Sequence, residues 1–259
     1  MGFLQSLQTL WAIMKREFAV YFVSPIFYLM GGAYLALGGL FFVLSLAQFN
    51  TGFGDPNLQA TLATMAFLML FIAPLLTMRL MAEEVRQGTL ELLLTRPVRD
   101  WHVIVGKFLA AWALMTLLLL ITTIYAFILV WRGNPDQRVI MSGYLGLWLL
   151  SGGMIAVGVL MSSVTQYQLV AGVLTLGTLL ALWLSNVGTS LVDAFASGTA
   201  GTFRTVATDV LNNLTIREHY YPTLLRGILN ATDIAYFVFL IALSLFLATR
   251  VLETRRWRS

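Results

Sequence analysis

The chain has 259 residues, of which 59% are hydrophobic and 11% are charged. Soluble domains carry about 25% charged residues, so this composition excludes a disordered chain, a coiled coil and almost any water-soluble domain. The net charge of +4 is typical of membrane proteins, whose cytoplasmic loops collect lysine and arginine. We therefore expect a lipid bilayer, and no nucleic acid, as a partner. Cysteine is absent, which excludes disulfides and cysteine metal sites.

Long uncharged stretches indicate an all-α integral membrane protein, with one membrane domain over residues 1–259. A spanning helix needs about 20 apolar residues, and the uncharged stretch 139–192 is long enough to cross twice, with a polar break at 162–166. Lysine and arginine then number eleven on one side of the membrane and five on the other, which places both termini in the cytoplasm. The six predicted spans are 26–47, 58–78, 103–131, 143–163, 168–187 and 234–250.

Two segments outside the predicted spans have apolar residues at helical spacing. In residues 3–18 these residues share one face, which predicts a helix that lies in the cytoplasmic interface, and simple anchoring explains the same pattern. The outer segment 188–233 is too long for a simple turn. Its apolar residues from Phe203 to Leu214 predict a short amphipathic helix on or in the outer leaflet.

Pairs of small residues within the spans would let helices approach closely in lipid. We interpret them as packing inside the chain, although a homodimer interface would use the same pattern. Pro74 should kink the second span because its ring removes a backbone donor. The pairs are Gly31–Gly32, Gly38–Gly39, Gly152–Ala156 and Gly177–Ala181.

Motifs of common enzymes and nucleotide sites are missing from the sequence. It contains no G-x-x-x-x-G-K-[ST] loop for ATP, no H-E-x-x-H and no G-x-S-x-G. His102 and His219 fall on opposite sides of the membrane in this topology, so they cannot share a metal. The middle of each span lacks charged residues, which argues against an ion-coupled carrier. We therefore expect no catalytic residue, no metal site and no cofactor bound by this chain.

The cytoplasmic loop 79–101 reads RLMAEEVRQGTLELLLTRPVRDW. The second span is predicted to continue into this loop as a helix that ends at Gly88, where a positive φ is needed. Thr89 can cap a new short helix, about 89–95, and Pro97 stops it. Its leucine stripe predicts docking into a groove of a soluble partner, and an interfacial helix with its leucines in lipid would look the same.

Residues 82–97, A-E-E-x-R-x-G-T-L-E-L-L-L-T-R-P, resemble the signature of permease subunits of type-2 ABC transporters. The match is most similar to the gliding-motility GldF type. It extends over essentially the whole chain through further similar segments. These are Ser24-Pro25-Ile26, residues 74–79 (P-L-L-T-M-R), His219, residues 226–229 and residues 251–257.

The resemblance implies a homodimer, or a pair with a paralogue, with six spans per subunit and a re-entrant helical hairpin between the last two spans. It also implies two copies of a separate ATPase that binds ATP and Mg, a bacterial cytoplasmic membrane, and an auxiliary GldG-like membrane protein. In this family the short helix of the loop sits in a groove of the ATPase. The residues expected to contact that ATPase are Glu83, Glu84, Arg86, Gly88, Thr89, Leu90, Glu91, Leu92, Leu93, Leu94 and Thr95.

We therefore predict a permease subunit without enzymatic activity of its own, which couples ATP hydrolysis by its partner to the export of a substrate. Two alternatives stay open. A non-transporting scaffold that recruits the ATPase for mechanical work would carry the same loop. An intramembrane hydrolase would use Glu83 and Glu84, but the E-E-x-x-x-R pattern of such enzymes needs an arginine where this chain has Gly88.

Overall fold

The computed structural model describes residues 3–50, 58–86, 88, 100–133, 135–185 and 201–256. Every regular element within these ranges is helical, which confirms the all-α prediction for them. The helices are α1 (Phe3–Val23), α2 (Pro25–Asn50), α3 (Gln59–Thr77), α4 (Ala82–Arg86), α5 (Asp100–Arg132), α6 (Gln137–Val164), α7 (Gln168–Trp183), α8 (Gly201–Leu214) and α9 (Ala231–Arg256), with a 3₁₀ turn at Leu224–Arg226.

Five stretches of the described residues are long and apolar enough to cross a membrane. Each overlaps one of the predicted spans, and Pro74 lies buried inside the second of them. The remaining predicted span, 168–187, corresponds to α7, which has 16 residues where a span needs about 20. The count of six spans therefore stays a prediction. The five stretches are Pro25–Ala47, Gln59–Arg86, Asp100–Arg132, Gln137–Val164 and Ala231–Thr254.

Helix α6 forms the centre of the bundle and packs against α3, α5, α7 and α9. In the most apolar part of α6, 78% of the residues are buried. The corresponding shares are 28% in α2 and 17% in α9, so those two helices face lipid or a partner chain. Glycines permit the close packing of α6, because a Cβ on Gly152 would lie 2.9 Å from the Trp112 ring and one on Gly143 would lie 2.6 Å from Leu62. With Ala156 also buried, the Gly152–Ala156 pair packs inside the chain.

The small residues of α2 and α7 divide between the bundle and open space. Gly31, Gly38 and Gly39 approach side chains of α3 and α5. Gly32 and Gly177 have no described heavy atom within 4 Å of the position that a Cβ would take. The bundle therefore uses only part of the small-residue surface that the sequence offers.

Helix α1 is longer than the predicted interfacial helix, and it joins the bundle. It continues from Phe3 to Val23 and stops where Pro25 restricts the backbone of Ser24. It packs along α5, where Gly106 lies so close to Ile13 that a Cβ on the glycine would be 2.8 Å from the isoleucine side chain. Contact with α5 therefore holds α1 against the bundle, and its place in the cytoplasmic interface stays a prediction.

The second span does not continue into the loop as one helix, which corrects that prediction. Helix α3 ends at Thr77, residues 78–81 form turns, and α4 begins at Ala82. The Thr77 carbonyl accepts a hydrogen bond from the Leu80 amide at 3.0 Å, as in a 3₁₀ turn. The amides of Met81 and Ala82 therefore need acceptors from elsewhere in the molecule.

The outer segment contains the predicted amphipathic helix, which is α8, followed by turns that lead to α9. Val206, Val210 and Leu214 of this helix are all about half exposed, so its apolar face is open to lipid or to another chain. Residues 186–200 lie outside the described ranges. The re-entrant hairpin therefore stays a prediction.

Candidate functional site

A single serine anchors α4 to α6. Ser162 is fully buried, and its Oγ accepts hydrogen bonds from the amides of Met81 and Ala82 at 3.1 and 3.2 Å. The same hydroxyl donates to the Met78 carbonyl at 3.3 Å. A hydroxyl has one donor and two acceptor positions, so Ser162 uses its full capacity to satisfy the backbone groups that the break between α3 and α4 leaves without helical partners.

Four charged side chains, which we call the ion cluster, join α4 to α1 and α5. The Lys107 side chain on α5 is only 2% exposed, and its Nζ lies 2.9 Å from Glu84 on α4 and 3.2 Å from Glu17 on α1. Arg16 on α1 adds a second cation, 2.6 Å from Glu17 and 3.5 Å from Glu84. An unpaired buried ammonium is strongly unfavourable, so Lys107 depends on both carboxylates.

The charges of the ion cluster shift the pKa values of two of its members. Burial by itself would raise the pKa of Glu17, but the positive charges of Lys107 and Arg16 outweigh it and hold that pKa below its ordinary value. The hydrogen bond to Glu17 raises the pKa of Arg16, against the opposing effect of partial burial. Both shifts favour the charged forms, so Glu17 and Arg16 are ionised at neutral pH.

Of the other residues expected to contact a partner, those up to Gly88 are described by the structure and those after it are not. Glu83 and Arg86 pair at 3.3 Å on the surface of α4, where Arg86 is 61% exposed. Gly88 has a φ of +68°, the left-handed conformation predicted for the end of this helix. The segment 89–95 and Pro97 lie outside the described residues, so their helix and its docking stay predictions.

No local pattern in the sequence indicates that Ser162, Lys107 and Glu17 belong to one site. From the sequence, Ser162 belongs only to the polar break between two spans, and Lys107 only to the cations predicted on the cytoplasmic side. Glu84 was expected among the partner contacts, whereas its Oε1 lies against Lys107. One signal was available, because Lys107 borders the uncharged stretch 108–131 and a lysine that is drawn into such a helix needs a buried counter-ion.

The two histidines have different surroundings. His102 is buried in the first turn of α5, stacks on Trp101 and makes no hydrogen bond in the part of the chain that the structure describes. His219, between α8 and α9, bonds through Nδ1 to Asp233 at 2.8 Å and stacks on Tyr236. Within the described ranges, no group of three or more histidine, aspartate or glutamate side chains could hold a metal ion.

The geometry around α4 suits mechanical transmission. Ser162 links α4 to α6, and the ion cluster links it to α1 and α5, so a displacement of α4 acts on three helices. The same geometry suits catalysis less well, since the Ser162 hydroxyl already uses all its hydrogen-bonding positions on backbone groups. Glu83 and Glu84, the residues of the hydrolase alternative, are each within ion-pair distance of a cation.

Residues 11–257, nearly the whole chain, match the family model described as ABC-2 family transporter protein. Among curated proteins the chain has no significant match. Membership of the ABC-2 family implies a multi-pass membrane protein that works with a separate ABC ATPase, in agreement with the five apolar helices. The chain therefore belongs to the ABC-2 family of transporter proteins.

Proposed function

We propose that this chain is the permease subunit of an ATP-driven exporter and that residues 89–95 dock into its ATPase partner. The observation that carries the proposal is the anchoring of α4. The docking segment follows α4 directly after Gly88, and α4 is bonded to α1, α5 and α6. A force applied to the docking segment would therefore reach three helices through short polar contacts.

The proposed cycle begins outside this chain, where ATP and Mg bind to the ATPase and close its dimer. Closure displaces residues 89–95 together with α4. The displacement passes to α5 through the Glu84–Lys107 ion pair and to α6 through the hydroxyl of Ser162. Helices α5 and α6 then tilt and open a path at the interface between two permease copies.

The two faces of α4 have different roles in this proposal. Glu84 faces Lys107 and transmits force inside the chain. Glu83 and Arg86 lie on the more exposed face, next to the docking segment, and they supply polar contacts with the ATPase. The remaining contacts come from Thr89, Glu91 and Thr95 as polar groups and from Leu90, Leu92, Leu93 and Leu94 as the apolar anchor.

We also propose an assembly of the GldF-like type, supported by the resemblance of residues 82–97. It consists of two copies of the chain, or of the chain and a paralogue, with two ATPases and an auxiliary GldG-like membrane protein. The assembly lies in a bacterial cytoplasmic membrane with both permease termini in the cytoplasm. The exposed apolar side chains of α2, α7 and α9 leave surface for both lipid and a second permease.

A pull-down of the tagged chain from its native membranes in mild detergent tests the proposal. We expect a P-loop ATPase to copurify, and its turnover in the complex to fall about tenfold with Leu93→Asp, because a carboxylate in an apolar groove is unfavourable. Leu93→Met conserves size and apolarity and serves as the matched control. Recovery of the chain without an ATPase, or equal turnover in all three complexes, would contradict the docking of residues 89–95.

A further inference from the structure

A cavity of about 640 Å³ lies between α1, α2, α3 and α4, at the end of the bundle that carries the ion cluster. One wall is apolar and includes Val20, Phe27 and Met30, and charged side chains line another part of the cavity. Val20 is 58% exposed and Arg79 is also exposed, so the cavity reaches the molecular surface. Its size falls within the range of ligand pockets, about 300–1,000 Å³.

The charges around the cavity do not cancel. Among the described residues, four basic and three acidic side chains line it, and each acidic residue has a basic partner, either in the ion cluster or in the Glu83–Arg86 pair. Arg79 makes no hydrogen bond or ion pair in the part of the chain that the structure describes. The cavity therefore presents one uncompensated guanidinium beside an apolar wall.

This combination matches an anionic amphiphile better than a free anion. A guanidinium binds phosphate oxygens through paired N–H donors, but inorganic phosphate would leave the apolar wall uncovered. Helices α2 and α3 are both long enough to cross the membrane, and the cavity lies where α2 begins and α3 ends. A ligand bound there would lie at the level of the lipid headgroups.

We propose that the cavity binds an anionic membrane lipid, with its phosphate at Arg79 and the first part of an acyl chain along Val20, Phe27 and Met30. Arg79 belongs to the turns at 78–81, so the phosphate would lie beside the break between α3 and α4. The lipid would thereby bridge α1 and α2 to the segment that Ser162 holds. The site is independent of ATPase docking, and its test needs no ATPase.

The experiment reconstitutes the full-length chain in vesicles of equal parts phosphatidylglycerol and phosphatidylethanolamine, extracts it in mild detergent and counts retained lipids by native mass spectrometry. We expect phosphatidylglycerol to be retained in preference, and Arg79→Gln to weaken its retention about tenfold, or about 1.4 kcal/mol. Arg79→Lys should keep most of it. Arg132→Gln, which removes an exposed arginine at the other end of α5, is the control and should change nothing.

Two further measurements separate the lipid from other occupants. Val20→Asn should lower phosphatidylglycerol retention. Millimolar inorganic phosphate should not displace the lipid, and displacement would indicate a free-anion site and overturn the proposal. The chain has no cysteine, so Val20→Cys with a short bis-maleimide reports a second copy, and cross-linked dimers would overturn the proposal as well. Equal retention of the two lipids by the unaltered chain would overturn it however the variants fold.

Discussion

The two ends of the helix bundle are held by different kinds of interaction. At the α4 end, the ion cluster and Ser162 hold a short helix against its neighbours. At the other end, which we call the tyrosine end, residues 215–230 connect α8 to α9 through hydrogen bonds and ring stacking. There Tyr221 donates to the Ala63 carbonyl at 2.9 Å, and the rings of His219 and Tyr236 stack with centroids 3.9 Å apart.

These interactions respond differently to displacement. A hydrogen bond is lost once its donor and acceptor separate beyond about 3.5 Å, whereas the attraction between two charges falls only with the inverse of their distance. The ion cluster can therefore continue to attract α4 through a shift that would break the contacts of the tyrosine end. We expect the movement of an ATP-driven cycle to concentrate at the α4 end, while the tyrosine end stays fixed.

The largest expected effect comes from removing the buried cation of the ion cluster. Lys107→Met removes the buried one of the two cations beside Glu17 and Glu84 and leaves Arg16, which is 54% exposed. Breaking a buried ion pair costs about 3–5 kcal/mol, and the remaining Arg16 places the expected loss toward the lower figure. The thermal midpoint in detergent should fall, and amide hydrogen exchange should rise in α4. Arg132→Met removes an exposed cation from the same helix and should cost about 0–1 kcal/mol. Similar losses in the two variants would contradict the structural role of the ion cluster.

A smaller effect is expected from the serine that bridges the break. Ser162→Ala leaves the amides of Met81 and Ala82 buried without an acceptor, at a cost of about 1–3 kcal/mol. Ser163→Ala is a matched control, because among the described residues the Ser163 hydroxyl bonds only to the Leu160 carbonyl within its own helix. Hydrogen exchange at residues 81 and 82 should accelerate in the first variant alone. Unchanged exchange there would show that Ser162 does not anchor α4.

A change at the tyrosine end sharpens the comparison from the other side. The Tyr236 hydroxyl donates a hydrogen bond of 2.9 Å to the carbonyl of Leu214, which is the last residue of α8. Tyr236→Phe keeps the ring stack and removes this bond, at a cost of about 0.5–1.5 kcal/mol. Exchange should rise in α8 and not in α4. Tyr167→Phe is the control, since the exposed Tyr167 hydroxyl makes no hydrogen bond in the described structure. Faster exchange in α4 of the Tyr236→Phe variant would refute the separation of the two ends.

Local sequence signals predicted much of this fold. Uncharged stretches located the five apolar helices, because a chain in lipid must bury its backbone groups in long helices. Gly88 was predicted in the left-handed conformation from its place after a charged helical stretch, and its φ is +68°. The amphipathic pattern that ends at Leu214 predicted α8. In each case the information lies within a few residues of the feature.

The candidate site was predicted only in part, because its main interactions join residues that are distant in sequence. The break at 78–81 is satisfied by Ser162, about eighty positions further along the chain. Lys107 finds its counter-ions on α1 and α4. A local pattern cannot indicate such partners, so the second span was predicted to continue without interruption. The cost of an unpaired buried charge means that a buried lysine needs a carboxylate, but a local pattern does not identify which carboxylate it contacts.

The smallest expected effect is the acid response of Glu17. Its pKa is lower in the folded protein than its ordinary value, about 4.3, because the charges of Lys107 and Arg16 outweigh the effect of burial. A depressed carboxyl pKa contributes stability that is fully present above the unfolded pKa and is lost as the pH falls through the folded pKa. The contribution of Glu17 should therefore be constant from pH 7 to about 5 and decline below about pH 4.

Thermal unfolding of the unaltered chain and of Glu17→Gln between pH 7 and pH 3.5 measures this contribution. Glutamine cannot ionise, so the unaltered chain should be the more stable of the two at pH 7, and the difference should shrink as the pH falls below about 4. This change of the stability difference with pH is the smallest of the four effects predicted here, because the Glu17 carboxylate stays ionised over most of the pH range. A difference that grows on acidification would mean that burial, and not the ion cluster, dominates at Glu17, and the α4 end would then lack the ionic character that sets it apart from the tyrosine end.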